Sequence, residues 1–375
     1  DFAADALAML PARAVTMAKL APEDKFAGLA PQDRLAREIP ALDLEDPAEP
    51  GAERLIELAR GVEGAAMAVK GVTNSEGGGA SFSRSAVALA TSTGFFGRHA
   101  GTSHSIGVAV LAGIGTGMER DYDHDSARHA GDLRSPEEIG ATAGEKAVRR
   151  LNPRSMKSQS VPVVFHPDEA AGLLGNFAGA ISGASIARGV SFLKDKMGQA
   201  VFAPGIRVID DPHRVRGLRS KPFDGEGVAN ARRALIEDGK LTTWLLDCAS
   251  ARQLGLQTTG HAARGTGGPP SPSITNLYLE AGAASVKDLI GDIKQGFYVT
   301  ELMGMGVNTV TGDYSRGAAG FWIENGEIAF PVSEVTIAGN LIAMFAKAVP
   351  ADDLQFRHGT NAPTVRIDGM TIAGA

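Results

Sequence analysis

The 375-residue chain is 43% hydrophobic and 21% charged, the composition of a globular protein long enough for two domains and a sizeable core. Its formal net charge of −6 and lack of a long basic block exclude a nucleic-acid surface, and no apolar run approaches the roughly 18 residues that span a bilayer. A single cysteine, Cys248, excludes an internal disulfide and fits a reducing compartment; with no signal-peptide pattern at Asp1-Phe2-Ala3-Ala4, a cytoplasmic protein is expected.

In chain order, the Ala/Leu/Met-rich segment Ala4–Lys19 predicts a helix, and Leu35–Ile39 and Ala52–Arg60 read as helical after proline-punctuated turns. Apolar runs at Ala65–Val69, Ser81–Ala90 and His104–Leu111 predict strands, with turns at residues 74–79 and 94–101 between them. Ser135-Pro136-Glu137-Glu138 has the chemistry of a helix start, with serine at the N-cap, proline at N1 and glutamate at N3. The polar stretch 152–160 then suggests a boundary between a domain at 1–155 and one at 156–375. The second half opens on a strand, Val161–Phe165, and a helix from Pro167 to about Ala187. Three Asx-Gly pairs, Asp238-Gly239, Asn325-Gly326 and Asp368-Gly369, predict tight hairpins, because a type I′ turn needs positive φ at both central residues. A final helix is expected over Ala338–Ala348. The fold class is therefore α+β: a helix-plus-sheet N-terminal domain and a larger C-terminal domain rich in antiparallel strands, with a central helix.

Several segments invite functional readings. Asp121, Asp123, Asp125 and Asp132 have calcium-loop spacing, but Ser126 stands where the loop needs glycine, so an exposed acidic strand end is expected. Gly113-Ile-Gly115-Thr-Gly117 lacks dinucleotide-fingerprint spacing and reads as a hairpin loop. His166-Pro167-Asp168-Glu169 lies at a strand-to-helix junction; capping of the helix is the structural reading, and a metal site the alternative. His124 and His129 are read as surface residues and Cys248 as a buried, inert thiol. No Gly-x-Ser-x-Gly elbow occurs. The helix after Pro167 carries Gly172, Gly175, Gly179 and Gly183, each costing about 1 kcal/mol against alanine. Something is expected to approach its backbone closely, either a neighbouring strand or a bound extended peptide.

At this helix the sequence becomes recognisable. Val163–Phe165 followed by residues 171–183, then 216–227, Trp244–Asp247, Ser250–Arg252, Thr259–His261 and above all residues 310–328, resemble the TldD/TldE family, also called PmbA or gyrase modulator. Residues 101–105 and 120–123 extend the similarity into the first half. Members usually carry a further N-terminal stretch, so the first domain is expected to lack its first strands.

In the TldD branch the central helix carries His-Glu-x-x-x-His, whose histidines bind zinc and whose glutamate serves as base, and a cysteine near the C-terminus completes the site. The matching positions here read Gly175, Asn176 and Ala180; residues 345–363 hold His358 but no cysteine. The resemblance thus implies a TldE-type subunit without zinc or catalytic residues of its own. Its expected partners are a zinc-bearing TldD-like subunit and an unstructured peptide, with self-pairing in isolation left open. Gly179, Thr259, His261, Asp313, Ser315 and Arg316 are candidates for the wall of a peptide cavity, beside structural roles in turns and ion pairs. The alternatives are a stand-alone metallopeptidase using His166, Glu169 and another histidine, and an interaction module that modulates gyrase.

Overall fold

The computed structural model describes residues 3–374; Asp1 and Phe2, the start of the segment without a leader pattern, and Ala375 lie outside the described residues. Helix α1 (Ala4–Leu20) forms as its composition predicts, yet buries none of its residues. No helix forms at Leu35–Ile39. A 3-10 turn at Gln32–Arg34 takes its place, because Leu35 pairs its backbone with Val228 far along the chain. Helix α2 (Ala52–Met67) runs through residues expected as the strand Ala65–Val69. Its Val62 and Ala66 are buried in a stripe at helical spacing, so tertiary packing decides the period there.

Strands β1 (Val72–Ala90), β2 (Phe96–Ala112) and β3 (Glu119–Ala127) form one antiparallel sheet. Residues 74–79, read as a turn, belong to β1. A side chain at Gly78 would strike the Ala59 carbonyl of α2, so glycine there marks close packing rather than a bend. Helix α3 (Pro136–Arg149) starts as predicted, Ser135 accepting a hydrogen bond from the Glu138 amide at 3.1 Å. It crosses α2 at Gly140 and Gly144, where an added Cβ would lie 2.7 Å from Ala65 and from Val69 respectively. The first core thus joins Val62 and Ala66, Ile106, Val108 and Val110, and Ile139, Ala143 and Ala147.

The second half begins with β4 (Gln159–Phe165), α4 (Pro167–Ala180) and α5 (Gly183–Ala187). The single helix expected from Pro167 to Ala187 breaks at Ile181–Ser182. There the backbone turns to pair with Leu245, whose amide donates to Ile181 at 3.0 Å and whose carbonyl accepts from Gly183 at 2.8 Å. The chain continues through β5 (Val208–Asp210), β6 (Arg233–Glu237), β7 (Lys240–Leu241), α6 (Cys248–Leu254), β8 (Ala262–Ala263), β9 (Ser271–Pro272), β10 (Leu277–Leu279) and α7 (Val286–Gly291). It ends with β11 (Gln295–Met303), β12 (Asp313–Glu324), β13 (Glu327–Asn340), α8 (Leu341–Ala346), β14 (Val349–Pro350), β15 (Thr360–Asn361) and β16 (Val365–Ala373).

Two of the three Asx-Gly hairpins form, with φ of 48° and 74° at Asp238-Gly239 and 52° and 82° at Asn325-Gly326. The third does not. Only Gly369 of Asp368-Gly369 takes positive φ, and β16 runs on past it with a register shift between Ile367 and Met370, a bulge rather than a turn. The last helix is shorter than expected because residues 338–340 complete β13, and the Asn340 side chain caps α8 by accepting from the Ile342 amide at 3.1 Å.

The architecture is mixed α+β, with mostly antiparallel sheets. Strands β13, β12, β11, β4 and β16 lie in that order, and β13 also pairs with β16, so these five close on themselves. A second sheet runs β15-β10-β5-β6-β7. Between them sits a large core in which α4 contributes Leu173, Leu174, Phe177 and Ala178, packed with Phe165, Phe202, Phe297, Tyr314 and Phe345. This anchors one side of α4 and leaves the other to define its surroundings.

Candidate functional site

The anchored side of α4 is the Leu173–Phe177 stripe; the other carries Gly172, Gly175 and Gly179, all exposed. A Cβ built on any of these three would meet nothing within 4 Å, so packing within the chain does not account for them. Gly183 differs: a side chain there would press on Ser250, Leu246 and the Leu245 carbonyl. Close packing therefore explains the last glycine, and the other three leave a bare strip of helix backbone facing outward. The side chain of Asn176, half-buried, makes no hydrogen bond within the described residues.

The zinc of the family's catalytic branch does not fit here. Gly175 and Ala180 have no ligating side-chain atom, and the Asn176 carboxamide is no base. Gly175 is exposed, and Ala180 is 2% exposed and packs into the core. Among the described residues no group of three or more histidine, cysteine, aspartate or glutamate side chains is placed to hold a metal ion. Cys248 is buried, its amide donating to Glu226 at 2.8 Å, and burial with that neighbouring carboxylate pushes its thiol up to about 12.

At the N-terminus of α4 the chain builds a cleft of about 680 Å³ between the first sheet unit and the second. Strand β3 and α3 form one wall; the start of α4, β11 and the loop 357–360 form the other. His166 caps α4, its Nδ1 accepting from the Asp168 amide at 3.4 Å, so the capping reading of this junction holds. Its imidazole also lies 3.4 Å from the Asp168 carboxylate, and His358 Nε2 approaches that carboxylate at 3.5 Å. His358 in turn stacks on His124, their ring centroids 5.3 Å apart. His124 is exposed, as expected of a surface residue, but it also bridges the two units through this stack; His129 lies 3.0 Å from the Asp43 carbonyl.

The cleft separates the titration of two adjacent carboxyls. The His358 hydrogen bond, with His166 and Lys146 nearby, holds the exposed Asp168 carboxyl well below the usual carboxylate range, against some desolvation by the cleft. Burial, with the Asp168 charge beside it, pushes Glu169 up to about 7. Desolvation within the cleft lowers His166, and lowers His124 together with the neighbouring His358, and burial pushes the Tyr298 hydroxyl up to about 12. Because the folded protein holds Glu169 above its ordinary 4.5, the folded state favours its protonated form. The protein is thus more stable below pH 4.5 by this contribution, and loses it as pH rises from 4.5 through 7. Glu169→Gln is expected to remove that loss, stabilising the fold at pH 8 by about 2 kcal/mol. This is less than the full shift would give, because solvent screens a half-buried carboxylate. Urea unfolding of both proteins at pH 5 and pH 8 checks this; an equal difference at the two pH values would contradict it.

The acidic strand end is not exposed as expected: Asp123 and Asp125 are buried, and α3 and the loop before it cover them with cationic partners. Asp123 meets Arg134 at 2.8 Å and Lys146 at 3.4 Å, and Asp121 meets Arg150 at 3.4 Å. Gly113–Gly117 is the expected loop between β2 and β3. The proposed cavity residues scatter. Thr259 and His261 share a 2.8 Å hydrogen bond, and His261 lies buried 3.4 Å from the fully buried Asp210; neither is among the residues that line the cleft at the start of α4. Asp313 accepts from Thr311 at 2.6 Å and Asn340 at 3.1 Å, fixing the turn before β12. Ser315 is exposed, and its amide donates to Gly306 at 2.7 Å. Arg316 donates to the Met303 carbonyl at 3.1 Å and is close enough to Glu169 to lower it. Of the six, Gly179 and Arg316 neighbour the open face or the base of α4.

The closed five-strand sheet, the second sheet and the central helix carried between them define a mixed α+β protein of peptidase-family architecture. Residues 45–151 match the PmbA/TldA metallopeptidase central domain and residues 158–374 its C-terminal domain, and the chain belongs to that family, on its PmbA/TldE branch. It is 41% identical over 376 residues to the metalloprotease PmbA of Escherichia coli O157:H7, covering 100% of this chain and 82% of that protein. The solved structure of a putative modulator of DNA gyrase from Bacteroides thetaiotaomicron superposes with a TM-score of 0.85 at 27% identity, over 95% of this chain and 80% of that one. TldE from Thermococcus kodakarensis gives 0.81 at 26% identity, over 96% and 82%. Among the described residues no helix is long and apolar enough to cross a membrane.

Proposed function

We propose that this chain is the non-catalytic subunit of a two-subunit metallopeptidase acting on unfolded peptides, with zinc carried by a TldD-like partner. The observation that carries this reading is α4: the backbone and core anchorage of a catalytic helix are kept, while Gly175, Asn176 and Ala180 offer neither a ligand nor a base. The open glycine strip supports a role for the helix as a surface on which another chain lies closely. An extended peptide recognised through its backbone is one such chain, since it gains main-chain hydrogen bonds where no side chain intervenes.

Isolated chain is expected to contain no stoichiometric zinc after metal-replete purification and to leave unfolded casein uncut. One zinc per chain, together with cleavage lost on chelation, would instead establish a stand-alone metallopeptidase. The gyrase-modulator reading, suggested by the description of the Bacteroides relative, predicts tight binding to gyrase with no effect on a peptidase partner.

A further inference from the structure

The cleft beside α4 has more positive charge than it uses. Arg150 is held by Glu119, Asp121 and Glu301, Arg134 and Lys146 by Asp123, and Arg120 by Glu76. The guanidinium groups of Arg149, Arg219 and Arg357, which line the same cleft, have no hydrogen bond or ion pair to any described residue. They are nevertheless positioned. Arg219 lies along Gly359, where an added Cβ would come 2.5 Å from its Nε. Arg357 belongs to a loop pinned by Asn361, whose side-chain oxygen accepts from the Arg357 amide at 2.9 Å and the His358 amide at 2.8 Å. Arg149 reaches in from α3 and rests over the Phe321 ring at 4.9 Å.

We propose that this cleft binds the free α-carboxylate end of a short peptide, held by Arg219 and Arg357 from one wall and approached by Arg149 from the other. The proposal rests on the peptide-handling role argued above and adds to it a site in this subunit, with a preference for chain ends. Guanidinium groups pair bidentately with a planar carboxylate. A singly charged carboxylate also suits a cleft in which Asp168 and Glu169 would repel a doubly charged phosphate. The volume is within the range that encloses a small ligand, and Tyr298, Phe321, Val286 and Ile328 provide apolar wall for its side chains.

Calorimetric titration of the whole chain with trialanine and with trialanine amide tests this. The free acid is expected to bind at least tenfold more tightly than the amide. Arg219→Gln with Arg357→Gln should erase that difference, whereas Arg54→Gln, on exposed α2, should keep it. Equal affinity for acid and amide, no binding of either, or a difference that survives the double substitution would overturn the proposal. Cleavage of long unfolded chains by a mixture of this chain with a zinc-bearing partner, measured separately, does not depend on free ends. Its outcome judges the subunit role independently of the carboxylate site.

Discussion

Replacing Gly172, Gly175 and Gly179 together by alanine is expected to raise the unfolding free energy by about 2–3 kcal/mol, an unusually large gain for three small changes. Each glycine sits inside a helix, where it loses more backbone freedom on folding than alanine does. An added methyl at each would meet nothing within 4 Å, so no clash offsets the gain. A chain shaped for stability alone would hold alanine at all three. Their retention is accounted for if another chain lies against this strip, and the triple substitution should then weaken activity in the assembled complex while strengthening the isolated fold. Urea denaturation at unchanged m-value, read beside the activity of the mixture, checks both halves. A loss of stability would mean that the strip is packed within the chain after all.

Phe177→Ala is expected to cost about 3–5 kcal/mol, the largest single effect predicted here. Phe177 is 0% exposed and lies on the opposite side of the same helix. Its ring meets Phe202 edge-on at 5.3 Å and Phe345 at 6.1 Å, and those two rings stack at 4.6 Å. Phe202 precedes the second sheet and Phe345 belongs to α8, so removal of the ring leaves a cavity where three elements meet. The rigid surroundings cannot close it fully. The same denaturation measurement applies; a change under 1 kcal/mol would contradict the packing described.

The pair of substitutions treats α4 as a helix with two unlike sides, and much of this was legible in the sequence. Leu173, Leu174 and Phe177 recur at helical spacing, and the glycines stand out as an expense without a local return. Sequence could not tell which glycines were packed, because Gly183 and Gly179 look alike until Leu245 and Leu246 are brought beside one of them. Local chemistry predicted the Ser135 cap, capping at the 166–169 junction and two hairpins correctly, since each depends on neighbours within a few residues; that His166 is the capping residue came only with the structure. The failures were where distant contacts prevailed. Leu35 pairs with Val228, α2 is extended by contact with α3, and Asp368-Gly369 is absorbed as a bulge because β4 lies alongside. The cleft was hidden for the same reason: His124 and His358 are neighbours only through the fold, and no spacing in the sequence foretells their stack. Thr259 and His261 belong to a well-matched segment, and the contacts they make, to Asp210 and to the backbone around Leu246, come from parts of the chain that no local spacing points to.

Whether this chain is a metallopeptidase subunit without chemistry of its own is decided by titrating it into a TldD-like partner bearing His-Glu-x-x-x-His and following cleavage of an unfolded protein. No cleavage is expected from this chain alone, and activity should appear on mixing and level off at one chain per partner. Full activity of the partner in the absence of this chain, unchanged on its addition, would contradict it.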